Sequence, residues 1–325
     1  SMETTKGSFG ILGSKFFALL NILQLTGWTG IMIYDGALSI NGIFKNGAWL
    51  WAIVIGLLIA AWILIGIKNV SKLNVASLSA LFILTLVLCK IIFFNGDNSV
   101  VSSTQEEAMS FGAAVELAAA MPLSWLPLIS DYTKESNKPV MSSLLSSLVY
   151  GATSCWMYLI GMGAAIFTSE TDISLILLKS GLGWAALVIV ILSTVTTTFL
   201  DAFSAGISFE TISSKPSGKT VALIVTALGT IGAVFLPMDN ITDFLYLIGS
   251  VFAPMISIQI ADFFVLKNDS SAKSIDLQKA VIWILGFALY RISLSWNFIL
   301  GNTLPVMLII FAVTVAAQKI LGKKK

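Results

Sequence analysis

Long apolar stretches alternate with short polar segments along this chain. Each stretch is long enough for a membrane-spanning helix, which needs about 20 residues, and none alternates every second residue as a membrane β-strand does. The stretches cover residues 10–33, 47–67, 72–94, 110–129, 139–167, 183–204, 220–236, 242–266, 277–296 and 303–320. The pattern predicts an all-α polytopic membrane protein with ten transmembrane helices.

The composition and the loop charges refine this topology. The chain of 325 residues is 57% hydrophobic and 11% charged, with a mean hydropathy of +0.92, which leaves too few polar residues to cover a soluble globule. The lysines of alternate loops fall on one side, and the positive-inside rule places that side and both termini in the cytoplasm. The opposite side carries only Lys45, Lys179 and the acidic segment GDNSVVSSTQEE.

Several function classes lose support at this stage. The chain has no histidine, so histidine-based catalysis and the usual zinc sites are excluded. Cys89 and Cys155 lie within predicted spans, which indicates neither a disulfide framework nor a thiolate cluster. The net charge of +2 comes from loop lysines and carries no nucleic-acid signal. An intramembrane enzyme would need an acid pair or an Asp-rich motif that the sequence lacks, so we expect no enzyme.

Charged residues within the predicted spans include five candidates for a functional role. Charges there are costly and usually face a cavity or a partner. Lys90, Asp262 and Arg291 lie near span ends, where the side chain can reach the interface, whereas Glu116 and Asp201 lie deeper. A channel with the two deeper acids along its pore stays open as an alternative.

The first span carries a polar stripe. At 100° per residue Asn21, Gln24, Trp28 and Asp35 fall on one side of a helix. An indole beside hydrogen-bonding groups suits a planar heteroaromatic ligand. The alternative is that the amides join helices and the indole only packs.

The sixth span contains STVTTTFLDAFSAG. Ser193, Thr196, Thr197, Asp201 and Ser204 cluster on one side of it. Hydroxyl and carbonyl oxygens are hard ligands suited to a small alkali cation, and the acid could ligate, carry a proton or contact a solute. Hydroxyls in membrane helices also bond to their own backbone, which is the alternative.

The fourth span reads ELAAAMPLSWLPLISDY. Pro122 and Pro127 each remove a backbone donor, so the helix is expected to kink or unwind between about Ala118 and Leu123. Freed backbone at mid-membrane is typical of secondary transporters. Glu116, just before the break, could accept hydrogen bonds from a ligand. The alternative is a proline-kinked packing helix.

Four segments together resemble one transporter family. ELAAAMPLSWLPLISDYTK, LNILQLTGWTGIMIYDGA, STVTTTFLDAFSAG and IADFFVLK are similar to the nucleobase:cation symporters (purine/cytosine permease type), in particular the branch of hydroxymethylpyrimidine transporters. The resemblance spans essentially the whole chain. It implies a leucine-transporter-like fold with two inverted five-helix repeats and two further helices, and a midplane site for solute and cation.

The resemblance also assigns residues on the first and fourth spans. It implies that Trp28 stacks on the base and that Gln24 lies one turn away. The broken helix lines the site opposite, which implies substrate contacts from Glu116, Ala120, Met121 and Ser124. Ala120 and Met121 stand where the wider family has a glycine and an aromatic residue, so the second stacking partner is not assigned.

On the sixth span, the resemblance implies that Thr196 and Thr197 hold the cation. A solute contact falls near Asp201 or Ala202. No cofactor is implied beyond the transported Na⁺ or H⁺.

Helix counting adds an expectation about the repeats. If the fourth span is the family's sixth helix, two helices should precede residue 1, and the native protein should exceed 34.8 kDa. Residues 1–325 would then form one transmembrane domain, with 1–95 the remainder of the first repeat, 108–266 the second repeat and 277–321 the two further helices. In the alternative, spans one to five and six to ten are complete repeats.

The expected protein is a secondary transporter in the plasma membrane, of bacterial or archaeal inner-membrane type, and a monomer. Its expected substrate is a small aminopyrimidine, hydroxymethylpyrimidine used for thiamine synthesis, imported with Na⁺ or H⁺ by alternating access. Cytosine, a purine or another compact solute is the alternative cargo.

Overall fold

Helices account for the architecture of the chain. The computed structural model describes residues 2–94, 109–133, 136–168, 183–296 and 298–322. Within these ranges each predicted apolar stretch is a helix, and no strand occurs. The helices are α1 (Lys6–Phe44), α2 (Ala48–Ile65), α3 (Ile67–Phe94), α4 (Phe111–Thr133), α5 (Pro139–Thr168), α6 (Gly183–Glu210), α7 (Gly218–Phe235), α8 (Ile241–Ile260), α9 (Leu277–Ser293) and α10 (Thr303–Gly322). The all-α prediction is confirmed.

Most of these helices have the dimensions of membrane spans. By length and composition, 8 helices among the described residues could cross a membrane, where the sequence predicted ten: α1 to α5, α7, α8 with its continuation, and α10. In α5 only 6% of the most apolar window is buried, as expected of a helix that faces lipid. The acidic segment 96–107, Lys134, Lys179 and the lysines of 323–325 lie outside the described residues.

The first helix is interrupted near its start. Gly10 has φ 78° and ψ −175°, and the segment after α8 docks on this break: the amide of Ile11 donates to Lys273 O (3.1 Å) and that of Leu12 to Ser274 O (2.8 Å). A Cβ at Gly10 would lie 2.8 Å from Lys273 O. Glycine is therefore required both by the positive φ and by the close approach.

Two buried clusters flank the middle of α1. One joins α1, α2, α6 and α7 through residues such as Ile33 and Phe199, and it also includes Leu128 of α4. The other joins the start of α1 with α8, α9 and α10 and includes Phe17 and Phe252. A smaller cluster joins α3 and α5. The polar stripe of α1 lies between the first two clusters.

The fourth helix does not unwind. α4 is helical from Phe111 to Thr133 with Pro122 and Pro127 inside it, so unwinding, one of the two outcomes predicted between Ala118 and Leu123, does not occur. Each proline removes one main-chain donor, but membrane helices tolerate this where neighbouring side chains and local adjustments satisfy the freed groups. The helix thus carries its side chains on one continuous element.

A buried ion pair lies at the C-terminal end of α8. Residues Ala261–Leu266 continue α8 as a π-helix, and Asp262 there accepts a hydrogen bond from Lys279 Nζ at 2.5 Å, with both side chains at most 2% exposed. The expectation that Asp262 reaches the interface was therefore wrong. Its partner Lys279 lies in the first turn of α9. Lys90 and Arg291 are exposed.

The pH dependence of stability follows from a second carboxylate, in the loop after α8. Burial alone would raise the pKa of Asp276, but bonds from Lys273, Ser270 and the amide of Lys279 hold that pKa below its usual value. A lowered folded-state pKa adds stability above the unfolded pKa, near 4, and this stability is lost as the pH falls through the folded value. Asp276→Asn should therefore lower the unfolding temperature at pH 7 and narrow its difference from wild type below about pH 4. If thermal melts give the same difference in unfolding temperature between variant and wild type at pH 7 and below pH 4, the prediction is wrong.

Candidate functional site

The buried amides of α1 link three helices. Asn21 is fully buried and Gln24 is 5% exposed. Gln24 Nε2 donates to Asn21 Oδ1 (2.7 Å) and to the carbonyl of Ser124 on α4 (2.8 Å), while Asn21 Nδ2 donates to Ser208 Oγ on α6 (2.7 Å). The stripe predicted from the helical wheel therefore faces the interior, whereas Asp35 at its outer end is exposed.

The indole of α1 lies one turn further along. Trp28 packs edge-to-face on Phe244 of α8, with ring centroids 5.3 Å apart at 78°. Gly27 allows this contact, because a Cβ there would lie 2.6 Å from the Phe244 ring. Sequence reasoning missed Phe244, since an aromatic residue in an apolar span carries no signal of its own.

Two polar atoms of this face are left without partners. Gln24 Oε1 and Trp28 Nε1 are both buried, and neither has a hydrogen-bond partner within the described ranges. An unpaired buried polar atom costs about 1–3 kcal/mol. One acceptor and one donor, one helical turn apart, are therefore the groups that a bound molecule would satisfy.

The α6 carboxylate lies at the same depth. Asn21 bonds to Ser208, and Gly36 approaches Thr194, to which an added Cβ would come within 3.1 Å. These two contacts fix an antiparallel register of α1 and α6. Asp201 lies midway between Thr194 and Ser208 and is therefore level with Trp28 on α1. Asp201 is 6% exposed and forms no ion pair or hydrogen bond with any residue that the structure describes.

The α6 threonines bond to their own helix. Thr196 Oγ1 donates to Ser193 O (3.0 Å), and Thr197 Oγ1 donates to Ser193 O (2.7 Å) and Thr194 O (3.2 Å). Each hydroxyl keeps lone pairs that could ligate a cation. Sequence reasoning did not single out Thr198, whose hydroxyl is fully buried and without a partner among the described residues.

The α4 residues predicted to line the site separate into two places. Ser124 is 3% exposed, and its carbonyl meets Gln24, as described above. Ala120 is fully buried and Met121 is half-buried on the turn before it. Glu116 lies eight residues before Ser124, or about 12 Å along the helix, and is not part of the α1 cluster.

Glu116 contacts the C-terminal helices instead. Its carboxylate accepts from the amides of Asn302 (2.6 Å) and Thr303 (2.7 Å), from Thr303 Oγ1 (2.6 Å) and from the hydroxyl of Tyr290. It is fully buried. In this arrangement the carboxylate caps the N-terminus of α10, where backbone donors and the helix dipole favour an anion.

Comparison with known proteins identifies the fold. No family model matches the chain. The cytosine permease of Escherichia coli strain K12 is 23% identical over 313 residues, which cover 93% of this chain and 74% of the permease, and that of strain O6:H1 gives the same values. A solved structure of Mhp1, a nucleobase-cation-symport-1 family transporter in a closed conformation with bromovinylhydantoin bound, superposes with a TM-score of 0.76 at 17% identity, over 99% of this chain and 79% of Mhp1.

The fold is that of a nucleobase-cation-symport transporter. This confirms the leucine-transporter-like architecture expected from the sequence. The relatives are transporters and not enzymes, which agrees with the expectation that the chain catalyses no reaction. Together the two likenesses support the nucleobase:cation symporter family and an integral polytopic membrane protein.

Proposed function

We propose that the protein is a nucleobase:cation symporter that imports a small aminopyrimidine, hydroxymethylpyrimidine, across the plasma membrane of a bacterium or archaeon. Import is coupled to Na⁺ or H⁺ by alternating access. The observation that carries the proposal is the pair of unpartnered buried atoms, Gln24 Oε1 and Trp28 Nε1. They lie between two apolar clusters, on the helix that contacts both.

An aminopyrimidine matches this pair. Its amino group donates, its ring nitrogens accept, and its flat ring suits an aromatic wall. Gln24 Oε1 would accept from the amino group, and the Trp28 indole would stack on the ring or donate to it. Ser124 helps to orient Gln24 through its carbonyl, and Ala120 and Met121 on the preceding turn are proposed to line the opposite wall.

Two arrangements on α6 support cation coupling. Thr196 and Thr197 offer hydroxyl oxygens to Na⁺, as oxygen ligands suit hard cations. Asp201, buried and without a described partner, could instead carry the proton or contact the solute. Sodium dependence that is lost in Thr197→Ala would favour the first arrangement, and proton dependence that is lost in Asp201→Asn would favour the second.

The packing supports an inverted repeat and a two-body motion. α1 and α6 run antiparallel and share one cluster with α2 and α7, as the equivalent helices of two inverted repeats would. We propose α1–α3 as the remainder of the first repeat, α4–α8 as the second, and α9–α10 as the two further helices. α4 would rock against α1, α2, α6 and α7 at the contact made by Leu128, which would expose the site alternately to each side.

Cytosine is a second candidate solute. It carries the same adjacent amino donor and ring acceptor, and cytosine permease is similar to this chain over most of its length. Competition separates the two solutes, because the physiological one should displace the other at lower concentration.

Uptake into liposomes tests the proposal. Purified protein would be reconstituted, and labelled hydroxymethylpyrimidine would be offered under an inward Na⁺ gradient, an inward proton gradient, or neither. Saturable uptake that one gradient accelerates supports symport. Non-saturable flux together with single-channel currents would reject it in favour of a channel.

Loss of the indole should weaken solute binding. Trp28→Ala removes an aromatic wall and its donor, and a stacked base is worth about 1–3 kcal/mol, so the apparent KM for uptake should rise by roughly 5- to 100-fold. Trp28→Phe keeps a ring and should fall between Trp28→Ala and wild type. An unchanged KM in Trp28→Ala would remove the indole from the site.

A further inference from the structure

Glu116 is a buried acid that the proposed solute contacts do not use. Direct contact with a solute would require its four protein donors to be released. Its charge has no Lys or Arg counter-ion among the described residues. The donors and the N-terminus of α10 stabilise the anion in place of a counter-ion.

The main chain is shaped for this contact. Gly301 has φ 70°, and a Cβ there would lie 2.8 Å from Glu116 Oε2. Gly112, one turn before Glu116, lies so close to the connection between α9 and α10 that an added Cβ would overlap Phe298 O, at 1.9 Å. Two glycines on opposite sides of the contact therefore let α4 reach the start of α10.

A tyrosine extends the contact to two more helices. Tyr290 of α9 is fully buried, and its hydroxyl lies between Glu116 and Thr303 Oγ1, at 3.5 Å from the latter. Gly249 of α8 leaves the room for it, since a Cβ there would lie 2.1 Å from the hydroxyl. Four helices thus meet around one carboxylate.

Helix α4, which carries Glu116, also carries Ser124, whose carbonyl accepts a hydrogen bond from Gln24. Because α4 is continuous from Phe111 to Thr133, a rotation or shift at Glu116 also moves Ser124. We propose that Glu116 is a positioning residue: it fixes α4 against α9 and α10 and thereby keeps the Ser124 carbonyl in reach of Gln24. This inference rests on the proposed transport function.

A carboxylate is needed for this role. Its two oxygens accept all four donors, whereas glutamine has one acceptor oxygen and would direct its NH₂ group at other donors. Glu116→Gln should therefore release α4, and Tyr290→Phe should release it in part. Thr314→Val is the matched control, because Thr314 is also fully buried on α10 but bonds only to Ile310 O of its own helix.

The test is uptake of labelled hydroxymethylpyrimidine and cytosine by the reconstituted chain. Glu116→Gln should lower Vmax/KM about tenfold or more, and Tyr290→Phe should lower it about threefold, as expected for lost charge-assisted hydrogen bonds. The double variant should be no worse than Glu116→Gln alone, and both solutes should be affected by the same factor. Thr314→Val should match wild type.

A second readout does not depend on transport. Ser124→Cys, in a background with Cys89→Ser and Cys155→Ser, should react slowly with a membrane-permeant maleimide. Adding Glu116→Gln should raise the labelling rate, while adding Thr314→Val should not. If wild type fails to take up any pyrimidine, the proposed function falls, and the labelling rate still decides the positioning role.

Three results would overturn the inference. The first is uptake at the wild-type rate by Glu116→Gln. The second is a loss of uptake confined to one solute, which would mean that Glu116 contacts that solute directly. The third is a maleimide labelling rate of Ser124→Cys that does not change when Glu116→Gln is added. If Glu116→Gln does not fold, uptake and labelling are measured for Tyr290→Phe and Thr303→Val and compared with Thr314→Val. Values equal to those of Thr314→Val would also overturn the inference.

Discussion

Replacing Gln24 by leucine is expected to abolish saturable pyrimidine uptake. The amide lies at the junction of three helices, where its nitrogen bonds to Asn21 and to Ser124 O. Its oxygen is the free buried acceptor of the proposed site. Leucine removes the acceptor and leaves two buried acceptors without their donor, each at about 1–3 kcal/mol. These losses destabilise the junction that presents the site, and the solute contact is lost as well, so Vmax/KM should fall by more than about 100-fold.

A neighbouring residue offers a control for helix packing. Thr29 is fully buried on α1, and its hydroxyl bonds only to Leu25 O of its own helix. Thr29→Val should therefore keep uptake near the wild-type level at equal protein in the membrane. Initial-rate measurements on both variants decide the point, and normal uptake by Gln24→Leu would exclude the amide from the transport path.

Helix number and the interior face of α1 follow from local pattern. A run of apolar residues predicts a span without reference to its neighbours, and the 100° repeat places Asn21 and Gln24 on one side of a helix. Within the described residues, the structure confirms a helix at each predicted stretch, 8 of them with the dimensions of a span, and it confirms that both amides are buried. Phe244, the ring that packs on Trp28, could not be found this way, since its role depends on how α8 crosses α1.

The contacts that sequence reasoning could not find are those between distant positions. Glu116 meets Thr303 across 187 positions, and no periodicity within α4 reports on the start of α10. Pro122 predicted a kink or an unwound segment from a local rule, whereas the helix is continuous from Phe111 to Thr133. The sequence assigned Asp262 to the interface because its partner, Lys279, lies 17 positions away in the next helix.

Replacing Lys279 gives the largest expected effect on stability. Lys279→Met should destabilise the protein by about 3–5 kcal/mol, because it leaves the buried Asp262 carboxylate without its counter-ion. The Nζ to Oδ1 distance is 2.5 Å, and neither side chain is more than 2% exposed. Apparent unfolding temperature in detergent, followed by size-exclusion chromatography after heating, would report the loss.

The double substitution separates charge from packing. Asp262→Leu with Lys279→Met removes both charges together, and a buried ion pair replaced by apolar residues of similar volume is often neutral or more stable. The double variant should therefore unfold within a few degrees of wild type, well above Lys279→Met alone.

Lys273→Met is the control, since Lys273 is 55% exposed, and exposed pairs contribute about 0–1 kcal/mol. If Lys279→Met and Lys273→Met unfold at the same temperature, the buried pair does not stabilise the junction of α8 and α9. If the double variant is as unstable as Lys279→Met, the unpaired Asp262 carboxylate is not the cause of the instability of Lys279→Met.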